Sequence, residues 1–191
     1  RDHPIYPGWC RHGVREPGKP VAWRLRSDRG VRPVVWQDRL FGEQRFDPAR
    51  LGDVVLKRKD GLWAYQLAVV VDDADQGISD VVRGFDLLDN TPWQRQLQHA
   101  LGAAEPRYLH LPLIIGEGGQ KLSKQNLAPA LPTRDAAVRP LLHAALVALD
   151  QAPPEALATA PVAEQLAWAL EAWSVARLRP LAERPLTDTP G

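Results

Sequence analysis

A chain of 191 residues is long enough for one domain or two small ones, and its formal net charge of +1 gives no global sign of a polyanionic partner. A single cysteine excludes an internal disulfide. No apolar run approaches the ~20 residues needed to span a bilayer, and no signal-peptide pattern opens the chain, so the expectation is no membrane and a cytoplasmic setting.

Residues 1–31 are rich in Gly, Pro and Arg and read as irregular. The first 50 residues hold 11 Lys/Arg against 6 Asp/Glu, a local +5 that leaves −4 for the remainder. Such a basic quarter suits RNA contact, and arginines scattered over a solvated face give the same count. Val21–Leu25 and Arg32–Gln37 are strand candidates. Asp53–Arg58 and Trp63–Val71 flank Lys59-Asp60-Gly61, and Asp-Gly between β-rich runs predicts a hairpin. Ile78–Arg83 reads as a further strand.

Asn90-Thr91-Pro92 opens a predicted helix with Trp93, Leu97, Ala100 and Leu101 on one side, and Gly102 can end it. Arg107–Ile115 is a predicted strand. After Pro132 the period changes. Val138, Leu141, Leu142, Ala145, Leu146 and Leu149 follow helical spacing, with Pro140 near the first turn. Leu166, Ala169, Leu170 and Trp173 repeat it between Pro161 and Pro180, and both stripes read as core faces. Ala182–Gly191 reads as a frayed tail.

The strand ending at Ile115 leads through Gly116-Glu-Gly-Gly-Gln120 into Lys121-Leu122-Ser123-Lys124-Gln125. Two lysines three residues apart on a glycine-bordered loop can bring ammonium groups onto a polyphosphate. A solvated basic hairpin tip accounts for the same residues. Tyr65 and Arg83 fall on neighbouring predicted strands. The arginine fork can hold a carboxylate bidentately and the phenol can bond a bound amino acid. The alternative pairs Arg83 with Asp72, Asp73 or Asp80. Adjacent strand residues face opposite ways, which argues against a metal site at Asp72-Asp73. His110 approaches a nucleotide or packs in its strand, whereas His99 and His143 read as structural or exposed.

Lys121-Leu-Ser-Lys-Gln125 resembles the KMSKS signature of class I aminoacyl-tRNA synthetases in its K-L-S-K form. Gly61-Leu-Trp-Ala-Tyr65 through Asp73, Gly77 through Arg83-Gly84, and Asp86-Leu-Leu-Asp-Asn-Thr-Pro92 precede it. That order and spacing resemble the glutamyl-queuosine branch of the glutamyl-tRNA synthetase family, from about Tyr6 to the last helix. The resemblance implies an α/β fold: the later half of a Rossmann-type catalytic domain, then a helical region carrying the lysine loop. It divides the chain into the end of an inserted zinc-binding subdomain (1–31), the second catalytic half (32–115), and the loop with C-terminal helices (116–191).

The implied reaction activates glutamate with ATP and transfers it to the queuosine base of tRNA(Asp). The implied partners are glutamate, ATP and tRNA(Asp), and the implied state is a monomer. Lys124 would contact ATP with Lys121 beside it, and Tyr65 and Arg83 would contact glutamate. Tyr6 and Cys10, four residues apart, would be zinc ligands whose partner cysteines precede Arg1, leaving Cys10 a free thiol here. His3 and His12 do not match the family's ligand pattern. The chain has no methionine and opens on Arg1, so the expectation is a fragment lacking the HIGH half, inactive alone. Two alternatives stand beside this. One is an ordinary glutamyl-tRNA synthetase, which needs a longer helical end than the 67 residues after Lys124 (191 − 124). The other is a non-catalytic tRNA-binding remnant.

Overall fold

The computed structural model describes residues 5–14, 16–27, 33–47, 50, 52–116, 119–122 and 131–185. The chain divides into two units. The first comprises residues 1–82 and 87–109, the second residues 83–86 and 110–191.

In the first unit, β1 (Trp23–Leu25) pairs antiparallel with β4 (Val54–Lys57). β2 (Val34–Asp38) and β3 (Gly42–Phe46) form a hairpin in register from Val34↔Phe46 to Asp38↔Gly42. Its turn is fixed by the Asp38 carboxylate, which accepts the N–H groups of Leu40 and Phe41 at 3.0 Å each. Gly42 supplies the positive φ that the turn requires. Trp36 stacks on Phe46 with ring centroids 5.5 Å apart. β2 runs parallel to β6 (Arg107–Leu111), and β5 (Asp80–Gly84) completes a four-stranded sheet in the order β3-β2-β6-β5.

The Asp60-Gly61 turn forms, with Gly61 N–H donating to Arg58 O at 3.0 Å. Its second arm, however, consists of the bridge Lys57↔Trp63, and Tyr65–Asp75 is helix α1 rather than strand. On α1 Val70 is buried, and Gln66, Leu67, Ala68, Val69 and Asp73 are half-buried, with Gln66, Val69, Val70 and Asp73 forming one helical stripe. Two polar residues occupy that stripe, so hydrophobicity alone hid the 3.6-residue period behind Val69-Val70-Val71. Gly77 (φ +67°) ends the helix, and the N–H of Ile78 returns to Asp73 O at 2.9 Å. That glycine was the overlooked sign of a helix.

A 3-10 turn (Phe85–Asn90) leads into α2 (Thr91–Leu101), which begins and stops where Asn90-Thr91-Pro92 and Gly102 direct. Its buried face is Thr91, Pro92, Gln94, Leu97 and Gln98. Of the predicted stripe, Ala100 and Leu101 are exposed. The glutamines carry a polar chain through the unit. Gln66 donates to Asn90, Gln94 Nε2 donates to Gln66 Oε1 at 2.9 Å, and Gln98 Nε2 donates to Tyr108 Oη at 2.9 Å.

The predicted strand Arg107–Ile115, which passes from the first unit into the second, is broken at Pro112, whose missing N–H cannot serve a ladder. β7 (Leu113–Ile115) pairs in parallel with β8 (Glu183–Pro185), so the start of the expected frayed tail is a strand. Residues 186–191 lie outside the described set. Helices α3 (Asp135–Ala148) and α4 (Val162–Ala172) pack with a 3-10 turn at Glu155–Thr159. In α3 Leu146 is buried, but Leu141 and Ala145 are exposed. In α4 the predicted core residues Leu166 (48%), Leu170 (84%) and Trp173 (39%, just past its end) are exposed. The anchor is Gln165, fully buried, with Nε2 donating to Arg139 O and Ala160 O at 3.1 Å each.

Candidate active site

The lysine loop is built on paired backbone at its root. Ile115 bridges Lys121 antiparallel, Leu122 N–H donates to Ile114 O at 3.0 Å, and Gly116 N–H donates to Gln120 O at 2.9 Å. Gly119 turns the chain with φ +69° and returns its N–H to Gly116 O. Lys121 therefore stands on a returning strand segment and not on a loop tip. Its ammonium pairs with the Asp86 carboxylate at 2.5 Å, the side chains remaining 38% and 24% exposed. Lys124, with Ser123 and Gln125, lies outside the described residues.

Three residues before Asp86, at the end of β5, half-buried Arg83 donates through Nε to His110 Nε2 at 3.0 Å. His110 is fully buried on β6. With Nε2 accepting, a neutral His110 carries its proton on Nδ1. The histidine is thus packed within its strand while bonded to the Arg83 guanidinium. Arg83, Asp86, His110 and Lys121 all belong to the second unit. Sequence reasoning gave Asp86 no role; its place three residues after Arg83, in the Asp86-Leu-Leu-Asp block, was the available signal.

Tyr65 belongs to the first unit, is 53% exposed, and is the first residue of α1. The expectation of Tyr65 and Arg83 on neighbouring strands is therefore corrected, and the two are not brought together within one unit. Asp72 and Asp73 are also helical, so the argument from alternating strand faces does not apply to them. Asp80 pairs with Arg107 at 2.6 Å and Arg39 at 3.4 Å rather than holding Arg83. The Arg107 hydrogen bond, then that from Ser79, holds the Asp80 carboxyl below its ordinary range. His143 Nε2 lies 3.2 Å from Pro154 O, a structural contact, and His99 is exposed.

Tyr6 and Cys10 do meet: the Cys10 N–H donates to Tyr6 Oη at 2.8 Å, and the Arg24 guanidinium lies over the Tyr6 ring at 4.3 Å. Cys10 is exposed. A closed structural zinc site needs four ligands. Among the described residues no group of three or more His, Cys, Asp or Glu converges. Among the described residues, Tyr6 and Cys10 therefore supply two of the four donors such a site requires. Beside them, Arg11 grips nearly buried Asp53 bidentately at 2.8 and 2.6 Å, and Ser27 adds its N–H and hydroxyl. The Arg11 bond is the chief cause that lowers the Asp53 pKa, against the opposing effect of burial.

Residues 10–139 match the family model described as tRNA synthetases class I (E and Q), catalytic domain. The chain belongs to this family. The class I synthetase match spans the sheet, α1, α2 and the lysine loop, and ends inside α3. The chain is 50% identical over 175 residues to a glutamyl-Q tRNA(Asp) synthetase of Chromobacterium violaceum, covering 91% of this chain and 57% of that protein. It is 49% identical over 185 residues to the protein of that name in Thiobacillus denitrificans, covering 95% and 60%. The Pseudomonas aeruginosa counterpart is 47% identical over 188 residues, with the same coverage. The chain thus spans about 60% of the length of these relatives. Among solved class I structures, a glutamate tRNA ligase of Elizabethkingia meningosepticum, in complex with its amino acid, aligns with a TM-score of 0.64 at 22% identity. That alignment covers 82% of this chain and 34% of the ligase, and carries the α/β fold alone. No helix among the described residues is long and apolar enough to cross a membrane.

Proposed function

We propose that the protein containing this chain activates glutamate with ATP and transfers the glutamyl group to the queuosine base of tRNA(Asp). The observation that carries this is the 47–50% identity, over 91–95% of the chain, to proteins named glutamyl-Q tRNA(Asp) synthetase. The local arrangement supports the first step. A glutamate carboxylate attacks the α-phosphorus of ATP, an acyl–phosphate bond forms, and the bond to pyrophosphate breaks. Negative charge builds on the phosphate oxygens, where Lys124 and Lys121 would stabilise it. Arg83, oriented by His110, would hold a carboxylate of glutamate, and Tyr65 would bond the same substrate.

The division at residues 31 and 115, the cytoplasmic setting and the monomeric state belong to this proposal. So does zinc, for which Tyr6 and Cys10 would be two of four ligands. An ordinary glutamyl-tRNA synthetase and a non-catalytic tRNA-binding remnant are not favoured, given how the relatives are named. The test is transfer of labelled glutamate by the full-length protein to tRNA(Asp) with and without queuosine. Labelling that depends on queuosine and ATP is expected. Labelling of tRNA(Glu) instead would replace the proposal with the ordinary synthetase.

A further inference from the structure

Gly84 has a role that backbone conformation does not explain. Its φ lies outside the left-handed region, so freedom of rotation is not why glycine stands there. Space is. A β-carbon at position 84 would lie 2.6 Å from Asp86 Oδ1 and 3.2 Å from Leu113 Cδ2. The missing side chain lets the Asp86 carboxylate fold back over the end of β5, and in that position it meets Lys121 Nζ. The lysine end of this contact is equally constrained. Lys121 is held by the Ile115 bridge, and Leu122 is tied to Ile114 O. A short acidic side chain seated by a glycine thus faces the first lysine of a loop whose backbone is fixed at that point.

We infer that Asp86 is a positioning residue for nucleotide binding: it holds the Lys121 ammonium in a parked position, and the phosphates of ATP must displace it. This rests on the reading that ATP phosphates are the loop's ligand. A carboxylate and a phosphate compete for the same cation, so the ion pair is subtracted from the binding that Lys121 can contribute. The pair is partly exposed, which limits that subtraction. Removing it should tighten ATP binding roughly two- to fivefold, the scale of one exposed ion pair. A gain in affinity separates positioning from a structural role, because damage to the fold would weaken binding.

The experiment is calorimetric titration of ATP into the full-length protein, as wild type and as Asp86→Asn, Asp86→Glu and Gly84→Ala. Asp86→Asn is repeated in a Lys121→Ala background. Asp86→Asn should bind ATP more tightly. Gly84→Ala should do the same without altering any charge, because the new methyl pushes the carboxylate aside. Asp86→Glu should return affinity close to wild type, and the gain should vanish when Lys121 is already alanine. Unchanged or weaker binding in Asp86→Asn overturns the inference, as does an equal gain in the Lys121→Ala background. Wild-type protein that binds no ATP overturns the functional reading itself, a result distinct from either of these.

Discussion

Helix α2 in the first unit and helix α4 in the second present nearly the same apolar spacing, yet they use it differently. In α2, Leu97 is buried between Gln94 and Gln98, and the loss on the outer side is limited to Ala100 and Leu101. In α4, Leu166 and Leu170 are on the outside, and fully buried Gln165 turns inward. The inner stripe of α4 is Val162, Gln165, Trp168, Ala169 and Ala172, rotated by about one residue from the leucine stripe. What distinguishes the helices is the partner of the buried amide. Gln98 bonds a tyrosine hydroxyl in the sheet, whereas Gln165 serves two main-chain carbonyls of neighbouring elements, at Arg139 and Ala160. Turning the amide outward would forfeit both bonds, on the order of 1–3 kcal/mol, the same scale as burying one leucine. In the observed phase the amide, not the leucine stripe, is the anchor.

The comparison can be broken at its strongest point first. Gln165→Leu removes the donor from both carbonyls and should destabilise the chain by on the order of 3 kcal/mol in urea unfolding. Gln66→Leu, which deletes the acceptor used by Gln94 and the donor to Asn90, should cost about 2 kcal/mol. Leu170→Ser alters the most exposed leucine of the pattern and should change stability by no more than about 0.5 kcal/mol. A larger loss from Leu170→Ser than from Gln165→Leu would reverse the account of what anchors α4.

A pH titration sharpens the contrast between the two units. Asp53 has a lowered pKa in the fold, chiefly through Arg11. Its contribution is present in full above the ordinary carboxylate pKa and is lost as pH falls through the lower folded value. Asp53→Asn should therefore flatten the acid limb of the first unit's unfolding curve while lowering stability at neutral pH. An acid limb unchanged by the substitution would remove Asp53 from that role.

Much of the fold was legible where local chemistry is strict. The helix start at Asn90-Thr91-Pro92 (though Asn90 makes no side-chain cap bond), the stop at Gly102, the Asp60-Gly61 turn and the strands around Val34 and Arg107 follow from backbone geometry that few residues permit. The errors share a different cause. Trp63–Val71 reads as a strand because Val69-Val70-Val71 outweighs the stripe that Gln66 and Asp73 complete in the helix Tyr65–Asp75. The helix faces of α2 and α4 were misphased because glutamine is buried in both. Polar residues that bury themselves by bonding the backbone or one another are invisible to a hydrophobic period. The candidate site shows in the sequence as motifs alone: Arg83 and the Lys121 loop can be named, but the pairing of Asp86 with Lys121 and the bond from Arg83 to His110 require coordinates.

Arg83→Leu in the full-length protein should weaken glutamate binding, with a cost of about 2–5 kcal/mol, and leave ATP affinity nearly unchanged. Equal weakening toward both substrates would indicate a damaged fold in place of a lost carboxylate contact. The most direct test of glutamate activation at the lysine loop is ATP–pyrophosphate exchange, dependent on glutamate, by the full-length protein and its Lys124→Ala variant. Exchange about 100-fold slower in the variant is the expected result, the scale of one preorganised charge lost from a transition state. Exchange at the wild-type rate would contradict it.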